Sequence, residues 1–223
     1  EFLETKDDYT FLKCSKESII KNLKNLSLKL VEKGYDYKNV QILAPMYAGI
    51  NGIDNLNKEL QDIYNPKDVT KKEIKIGDIV YRENDKILQL VNNPDENVFN
   101  GDIGTIIKIL NENESESKKT EIYVQYDYAC VKYLPKDLVK IKHGFAISIH
   151  KSQGSEFDLV IMPICMSYHR MLYKKLIYTG ITRAKKKLIL IGETNAFLMS
   201  INNQNEIIRR TNLKNILVSM YNK

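Results

Sequence analysis

The stretch AISIHKSQGSEFDLVIMPIC, residues 146–165, indicates the fold of the region around it. An apolar run from Phe145 to Ile149 predicts a strand. The chain is then almost continuously apolar from Asp158 to Cys165, which is typical of a parallel strand buried on both faces of a sheet. A polar segment with one glycine separates the two runs. We therefore predict a parallel α/β layer that carries a polar, ligand-binding loop at the end of a strand.

Further strands and helices on both sides of this stretch extend the predicted layer. Helical spacing of apolar residues, polar N-cap residues and glycine stops define the helices, and compact apolar runs define the strands. The predicted strands are Tyr9–Lys13, Val40–Ala44 and Leu188–Gly192, and the predicted helices are 19–30, Leu56–Ile63, Tyr168–Lys185, Asn195–Ile201 and Gln204–Met220.

The middle of the chain has a different pattern. Ile76–Arg82 alternates like a strand, and three more short strands are predicted at Ile106–Leu110, Ile122–Tyr126 and Val131–Leu134. No helical pattern interrupts the last three of them. We therefore predict a small β-barrel, inserted into the larger α/β domain.

The net charge of +6 is concentrated in one part of the sequence. Residues 140–190 hold 10 basic and two acidic residues, a net charge of +8, whereas residues 1–139 hold 20 basic and 24 acidic residues, a net charge of −4. Such a basic block indicates a polyanionic partner, either nucleic acid or nucleotide phosphate. A solvated, lysine-rich face is the alternative interpretation.

Other features exclude several classes of protein. Cys14, Cys130 and Cys165 are far apart and odd in number, so they predict neither a disulfide framework nor a zinc site, and we expect no metal ligands. No apolar run is long enough for a membrane span, and the start of the sequence lacks a signal peptide. We expect a cytoplasmic fragment of a longer protein. None of the 10 glycines is followed by lysine, which excludes a phosphate-binding P-loop within the sequence.

Four segments resemble the ordered motifs of a known enzyme family. Residues 148–157, SIHKSQGSEF, resemble motif V of superfamily 1 helicases in the form found in the RecD-like and Pif1-like branch, and residues 178–184, YTGITRA, resemble motif VI. Residues 41–57 resemble motif IV of RecD-like enzymes. Residues 98–105, VFNGDIGT, resemble the entry to the SH3-like domain 2B of that family, the exodeoxyribonuclease V alpha subunit type.

The resemblance implies an architecture and an activity. It implies a RecA-like lobe 2A of P-loop NTPase type at residues 1–98 and 141–223, with an inserted SH3-like β-barrel, 2B, at 99–140. The parent would be an ATP-dependent 5′→3′ DNA helicase that binds single-stranded DNA and ATP. ATP and Mg²⁺ would be held mainly by an N-terminal lobe 1A of the same polypeptide, so this chain alone would be inactive. Whether the parent works alone or with the subunits of a nuclease complex stays open.

Site residues follow from the same motifs. Arg183 resembles the arginine finger that reaches the γ-phosphate, and the resemblance implies that Gly154 and Glu156 face the nucleotide. The residues expected to contact DNA or to couple it to the nucleotide are Ser148, His150, Lys151, Ser152 and Gln153. The motif IV loop reads Tyr47-Ala48-Gly49, without the arginine that many superfamily 1 helicases carry there.

Plainer interpretations of the same residues remain open at this stage. Arg183 could be a surface residue at a helix end, His150 a structural histidine and Glu156 a helix cap. Tyrosines of the insert could stack on bases, although packing within the barrel is the simpler interpretation. As a second function, the chain could be a non-catalytic module that binds single-stranded nucleic acid or another protein through its basic block.

Overall fold

The computed structural model describes residues 6–203 and 212–221 of the 223-residue chain. Strands and helices alternate at both ends of the chain, and strands dominate its middle. In chain order the elements are β1 (Tyr9–Lys13), α1 (Ile19–Glu32), β2 (Val40–Ala44), α2 (Ile53–Tyr64), β3 (Glu73–Ile76), β4 (Ile79–Arg82), β5 (Lys86–Gln89), β6 (Ile103–Leu110), β7 (Glu121–Gln125), β8 (Cys130–Tyr133), β9 (Ile141–His143), β10 (Ala146–Ser148), β11 (Phe157–Ile164), α3 (Lys174–Ile181), β12 (Ala184–Gly192), α4 (Thr194–Asn202) and α5 (Leu213–Tyr221).

The predicted parallel layer is confirmed. Five strands pair in the order β1-β12-β11-β2-β10, and every pair is parallel. Side chains of β11 alternate between the two faces, so that Val160 and Met162 pack with α3 and α4 while Leu159 and Ile161 pack with α1 and α2. Burial on both faces explains why the sequence of β11 is continuously apolar.

The middle of the chain forms a second, antiparallel unit with its own apolar core. Its five strands pair in the order β8-β7-β6-β5-β9, and β3 and β4 form a separate hairpin. We expected the insert to occupy residues 99–140, but the antiparallel sheet also includes β5 and β9 on either side of that range. These strands have four and three residues, too short to show a periodic pattern.

Three local predictions differ from the structure. The helix predicted at Tyr168–Lys185 is shorter at both ends. Its first residues belong to a 3-10 helix at Met166–Met171, α3 covers only Lys174–Ile181, and Lys185 lies in β12. The strand predicted at Ile76–Arg82 is a hairpin that turns at Gly77, whose φ is +60°. The helix predicted at Gln204–Met220 lies partly outside the described residues, and its described portion belongs to α5.

A buried carboxylate joins the antiparallel unit to α2 of the parallel lobe. Asp85 is fully buried. It accepts hydrogen bonds from Gln61 Nε2 at 2.7 Å and Asn65 Nδ2 at 2.8 Å, both near the end of α2, and from the backbone N–H of Arg82 at 2.7 Å. The Nε2 atom of His143 lies 3.1 Å from the same carboxylate. We call these five residues the Asp85 cluster. The hydrogen bonds of this cluster satisfy the buried carboxylate, because a charge removed from water is costly unless it is hydrogen-bonded.

Lys86, next in sequence to Asp85, is buried in the same junction. Its Nζ atom donates to the carbonyl oxygens of Val40 at 3.0 Å and Lys38 at 3.1 Å, at the start of β2. It also lies 5.7 Å from the centre of the Phe157 ring. Burial lowers the pKa of Lys86 to about 7, because removal from water disfavours the charged form.

The depressed pKa of Lys86 predicts a pH-dependent stability. The pKa of Lys86 is lower in the folded chain than in the unfolded chain. At a pH between these two values the unfolded state binds more protons, so the free energy of unfolding should rise as the pH increases. We expect a rise of up to about 1.4 kcal/mol per pH unit between about pH 7 and pH 9. Lys86→Met should remove this slope, and Lys33→Met, at an exposed site, should keep it. Urea unfolding followed by circular dichroism measures the slope, and an equally steep slope in Lys86→Met would contradict the assignment.

None of the helices within residues 6–203 and 212–221 has the length and apolar content that a bilayer crossing requires. The three cysteines are free thiols, with Cys165 buried, Cys14 half-buried and Cys130 exposed.

Candidate functional site

The loop 149–156 runs from the carboxyl ends of the strands in the parallel sheet back to their amino ends. We call these two ends of the sheet its carboxyl edge and its amino edge. The loop begins after β10, where Ser148 pairs with Ala44 at the end of β2. It ends before β11, where Leu159 pairs with Val40 at the start of β2. The loop therefore runs back along the length of β2. The predicted site residues are consequently divided between the carboxyl edge of the sheet and its amino edge, and do not form one cluster.

His150 and Ser148 lie at the carboxyl edge, and the structure presents them differently. The His150 side chain is exposed. Ser148 is buried, and its Oγ accepts from the backbone N–H of Lys151 at 3.2 Å. The carbonyl oxygen of Ser148 also accepts from the N–H groups of Lys151 and Ser152, at 3.0 and 3.2 Å. Ser148 thus shapes the turn that holds His150 at the surface.

The middle of the loop holds the three residues predicted to lie between DNA and nucleotide. Gln153 is exposed, and Lys151 Nζ contacts the Asn100 side-chain oxygen of the antiparallel unit. Ser152 has no exposed surface, and its hydroxyl donates to the carbonyl oxygen of Ile149 at 2.8 Å. A direct DNA contact by Ser152 therefore does not fit this structure, because the side chain supports the loop from inside.

Arg183 lies at the amino edge, between α3 and β12. Its backbone carbonyl accepts from the N–H of Phe157, the first residue of β11, at 2.9 Å. The half-buried guanidinium donates at 3.1 Å to each of three oxygens: the Thr179 carbonyl, the Ser155 carbonyl and the Thr182 hydroxyl. None of these three acceptors carries a charge. The side chain is therefore fixed in position while its positive charge is not neutralised by them, as an anion site requires.

Gly154 and Glu156 lie at the same amino edge as Arg183. Gly154 has a φ of +88°, and the space where a Cβ would stand is open. The exposed carboxylate of Glu156 lies 3.5 Å from Lys185 Nζ, and both side chains are more than half exposed. This weak surface pair leaves the carboxylate able to accept from another donor, since exposed ion pairs contribute little. Guanidinium, ammonium and carboxylate groups together fit the phosphates and ribose of a nucleotide.

Two amides of the motif IV region have roles that sequence analysis missed. Asn57 of α2 donates to the carbonyl oxygen of Ala146 at 2.9 Å and accepts from its N–H at 2.8 Å, which fixes the short strand β10. Gln41 donates to the carbonyl oxygens of Gly144 and Phe145, at 3.0 and 3.1 Å. The spacing of motif IV contained both residues but did not reveal their partners, because those lie about 90 to 100 residues away in sequence.

Within residues 6–203 and 212–221, no group of three His, Cys, Asp or Glu side chains could hold a metal ion.

Two segments of the chain match described domains of helicases. Residues 56–126 match the SH3 domain of ATP-dependent RecD-like DNA helicases, and residues 143–191 match the C-terminal domain of UvrD-like helicases. The first match covers much of the antiparallel unit, and the second covers loop 149–156 and Arg183. The antiparallel unit is accordingly SH3-like, as the sequence predicted.

Curated relatives agree with these domain matches. The ATP-dependent RecD2 DNA helicase of Deinococcus radiodurans is 29% identical over 167 residues, which cover 75% of this chain and 22% of that protein. The RecBCD enzyme subunit RecD of Buchnera aphidicola subsp. Acyrthosiphon pisum is 32% identical over 176 residues, 77% of this chain and 28% of the subunit. The chain thus spans about a quarter of the length of these relatives.

Solved structures include a Pif1 helicase from Bacteroides in complex with ADP-AlF3 and single-stranded DNA. It is similar to this chain with a TM-score of 0.47 and 14% identity, over 93% of this chain and 55% of that one. The two domain matches and the curated relatives agree on one family of helicases. The chain belongs to the RecD-like superfamily 1 helicases and corresponds to their C-terminal portion.

Proposed function

We propose that this chain is the second motor lobe, 2A with its 2B insert, of an ATP-dependent DNA helicase that moves 5′→3′ on single-stranded DNA. The observation that carries the proposal is Arg183, whose guanidinium is fixed by three neutral oxygens at the edge of the lobe. The naming of a relative as an ATP-dependent DNA helicase supports the same function. Lobe 1A of the same polypeptide would supply the P-loop and the Mg²⁺ ligands, and the free thiols suit the reducing cytoplasm.

In this proposal Arg183 acts on the transition state of ATP hydrolysis. When lobe 1A closes against the amino edge, the guanidinium meets the charge that develops on the γ-phosphoryl oxygens as water displaces ADP. Its hydrogen bonds to Thr179, Ser155 and Thr182 hold it in place before the reaction, so little reorganisation is required. Gly154 would give a phosphate access to the backbone, and Glu156 would accept a ribose hydroxyl.

Loop 149–156 would couple the nucleotide to DNA. One end of the loop carries Ser155, which bonds to Arg183, and the other end carries the exposed His150. Buried Ser152 fixes the backbone between them. A displacement of the amino edge on closure would therefore reach His150 as a movement of one connected segment. The direction 5′→3′ is part of the proposal by family analogy.

The alternative is a non-catalytic module that binds single-stranded nucleic acid through its basic block. The net charge of +8 in residues 140–190 is the observation in its favour. Glu156 and Asp158 are already included in that net charge, and both lie beside lysines of the block. A net positive charge indicates a polyanionic partner without specifying how it is bound. The guanidinium of Arg183, fixed by three neutral oxygens, is the more specific feature, which favours the motor lobe.

A titration of the 223-residue chain with a labelled oligonucleotide tests the two functions. The motor lobe should bind weakly, hydrolyse no ATP, and lose affinity when His150 is replaced by alanine. His169→Ala is the matched control, since His169 is also exposed on this lobe. Tight binding, with log K falling by roughly 0.7 per phosphate contact against log salt and no effect of His150→Ala, would instead establish the binding module.

A further inference from the structure

A cleft of about 760 Å³ separates the antiparallel unit from the parallel lobe. One wall is formed by residues 154–158, at the end of loop 149–156 and the start of β11. The opposite wall is formed by residues 101–105 and 125–128 of the antiparallel unit. The volume is within the range of about 300–1,000 Å³ that small-molecule sites occupy.

The two walls of the cleft are fixed to each other at one end. Lys151 of loop 149–156 contacts the side-chain oxygen of Asn100 through its Nζ atom. The position of a Cβ on Gly101, whose φ is +108°, would lie 3.4 Å from the Lys151 carbonyl oxygen. The antiparallel unit thus touches the segment that carries Gly154 and Glu156. A ligand that reached those residues would have this unit beside it.

The lining of the cleft suits an uncharged polar ring better than a polyanion. Its carboxylates, at Asp102, Asp127, Glu156 and Asp158, outnumber the exposed cations Lys38 and Lys185. Asn39, Asn84, Asn97 and Gln125, all of which carry side-chain amides, are also lining residues, and the Gln125 amide nitrogen donates to the Tyr126 carbonyl oxygen at 2.6 Å. Amide groups pair with the donors and acceptors on the edges of nucleobases. Carboxylates repel phosphates but accept from ribose hydroxyls.

Tyr128 supplies an aromatic surface at the mouth of this cleft. It lies in the turn between β7 and β8 and is 90% exposed. The neighbouring Tyr126 and Tyr133 are buried in the core of the unit, and their hydroxyls bond to each other at 2.9 Å. Tyr128 therefore does not serve the packing of the core. An exposed tyrosine beside amide groups is a stacking surface for a base.

We propose that this cleft binds a nucleobase together with its ribose, so that the SH3-like unit forms part of a nucleoside site. Tyr128 stacks on the base, the amides contact its edge, and Glu156 accepts from the ribose. The proposal rests on the proposed function, which places Gly154 and Glu156 near the nucleotide. The same chemistry is offered by a free adenine nucleotide and by a nucleotide of single-stranded DNA, and the experiment distinguishes them.

The test is an NMR titration of the full chain, which follows backbone amide signals. AMP, ribose 5-phosphate and a short oligothymidylate are added separately. AMP should shift the amide signals of Gly101 and Gly104, and Tyr128→Ala should weaken its affinity about tenfold, as the loss of one stacked base predicts. Tyr221→Ala is the matched control, since Tyr221 is equally exposed, at 90%. Ribose 5-phosphate should bind more weakly than AMP and show no response to Tyr128→Ala.

Each outcome has a defined meaning. A Tyr128-dependent effect of AMP supports the site and identifies a free nucleotide as its ligand. An effect of the oligothymidylate alone supports the site and identifies DNA as the source of the base. Absence of any Tyr128-dependent binding overturns the inference and leaves the cleft as a contact surface for another domain. Failure of the motor-lobe function would be seen separately, in the ATPase rate of Arg183 variants.

Discussion

Replacement of Arg183 by alanine in the full-length protein should lower the rate of ATP hydrolysis by about 10³–10⁵-fold, the range measured for arginine fingers. Affinity for single-stranded DNA should remain largely unchanged, because His150 lies at the opposite edge of the sheet. Steady-state phosphate release with saturating oligonucleotide, combined with an anisotropy titration, measures both quantities. Near-normal turnover in this variant would refute the assignment of Arg183.

The Arg183 experiment needs controls, because the side chain also connects Thr179 to Ser155. Thermal unfolding of the variant separates a loss of chemistry from a loss of structure. Arg183→Lys keeps the positive charge but cannot reproduce all three hydrogen bonds, so it should retain the fold with strongly reduced hydrolysis. Arg170→Ala is the matched control, since Arg170 is an exposed arginine on the same lobe, and it should leave the rate unchanged.

Replacement of Asp85 by alanine should lower the free energy of unfolding by about 3–5 kcal/mol, as expected when one partner of a buried charged network is removed. The amides of Gln61 and Asn65 and the N–H of Arg82 would each lose a buried acceptor. Urea denaturation followed by circular dichroism measures this change directly. A decrease below about 1 kcal/mol, the value of one ordinary hydrogen bond, would contradict the role of the cluster.

Two further substitutions separate charge from hydrogen bonding at this position. Asp85→Asn keeps one acceptor oxygen, so it should cost less than Asp85→Ala, about 1–3 kcal/mol. Asp78→Ala removes an exposed carboxylate of the same unit and should be close to neutral. Equal effects of Asp78→Ala and Asp85→Ala would show that total charge, and not the buried network, determines stability.

The sequence was most informative about the parallel layer. The strands at residues 40–44 and 157–164 were predictable because burial on both faces makes them compact apolar runs. The short strands β5 and β9 were not, since they pair with each other across more than 50 residues of sequence. Ala184 and Lys185 end the helix predicted at Tyr168–Lys185 but lie in β12, where tertiary pairing overrides local propensity.

The candidate site was predictable in composition but not in arrangement. The motifs indicated Arg183, Gly154, Glu156 and His150, and the structure provides a defined setting for each one. The division of these residues between two edges follows from the return of loop 149–156 along β2, which local sequence does not encode. The Asp85 cluster could not be predicted from the sequence either. Two adjacent charged residues, Asp85 and Lys86, are typical of an exposed turn, and the partners of Asp85 at the end of α2 are known only from the structure.

The attachment of Asn57 to Ala146 has a consequence for how molecules of this protein behave together. Strand β10 is one of the two outermost strands of the parallel sheet, opposite β1. The outward N–H and C=O of an outermost strand can pair with a strand of another molecule and begin aggregation. The Asn57 amide occupies both groups of Ala146. The Asn57 side chain thus takes the hydrogen-bonding place of a neighbouring strand. Because these two groups of Ala146 are occupied, they are not available for pairing between molecules when many copies of the protein fold at once.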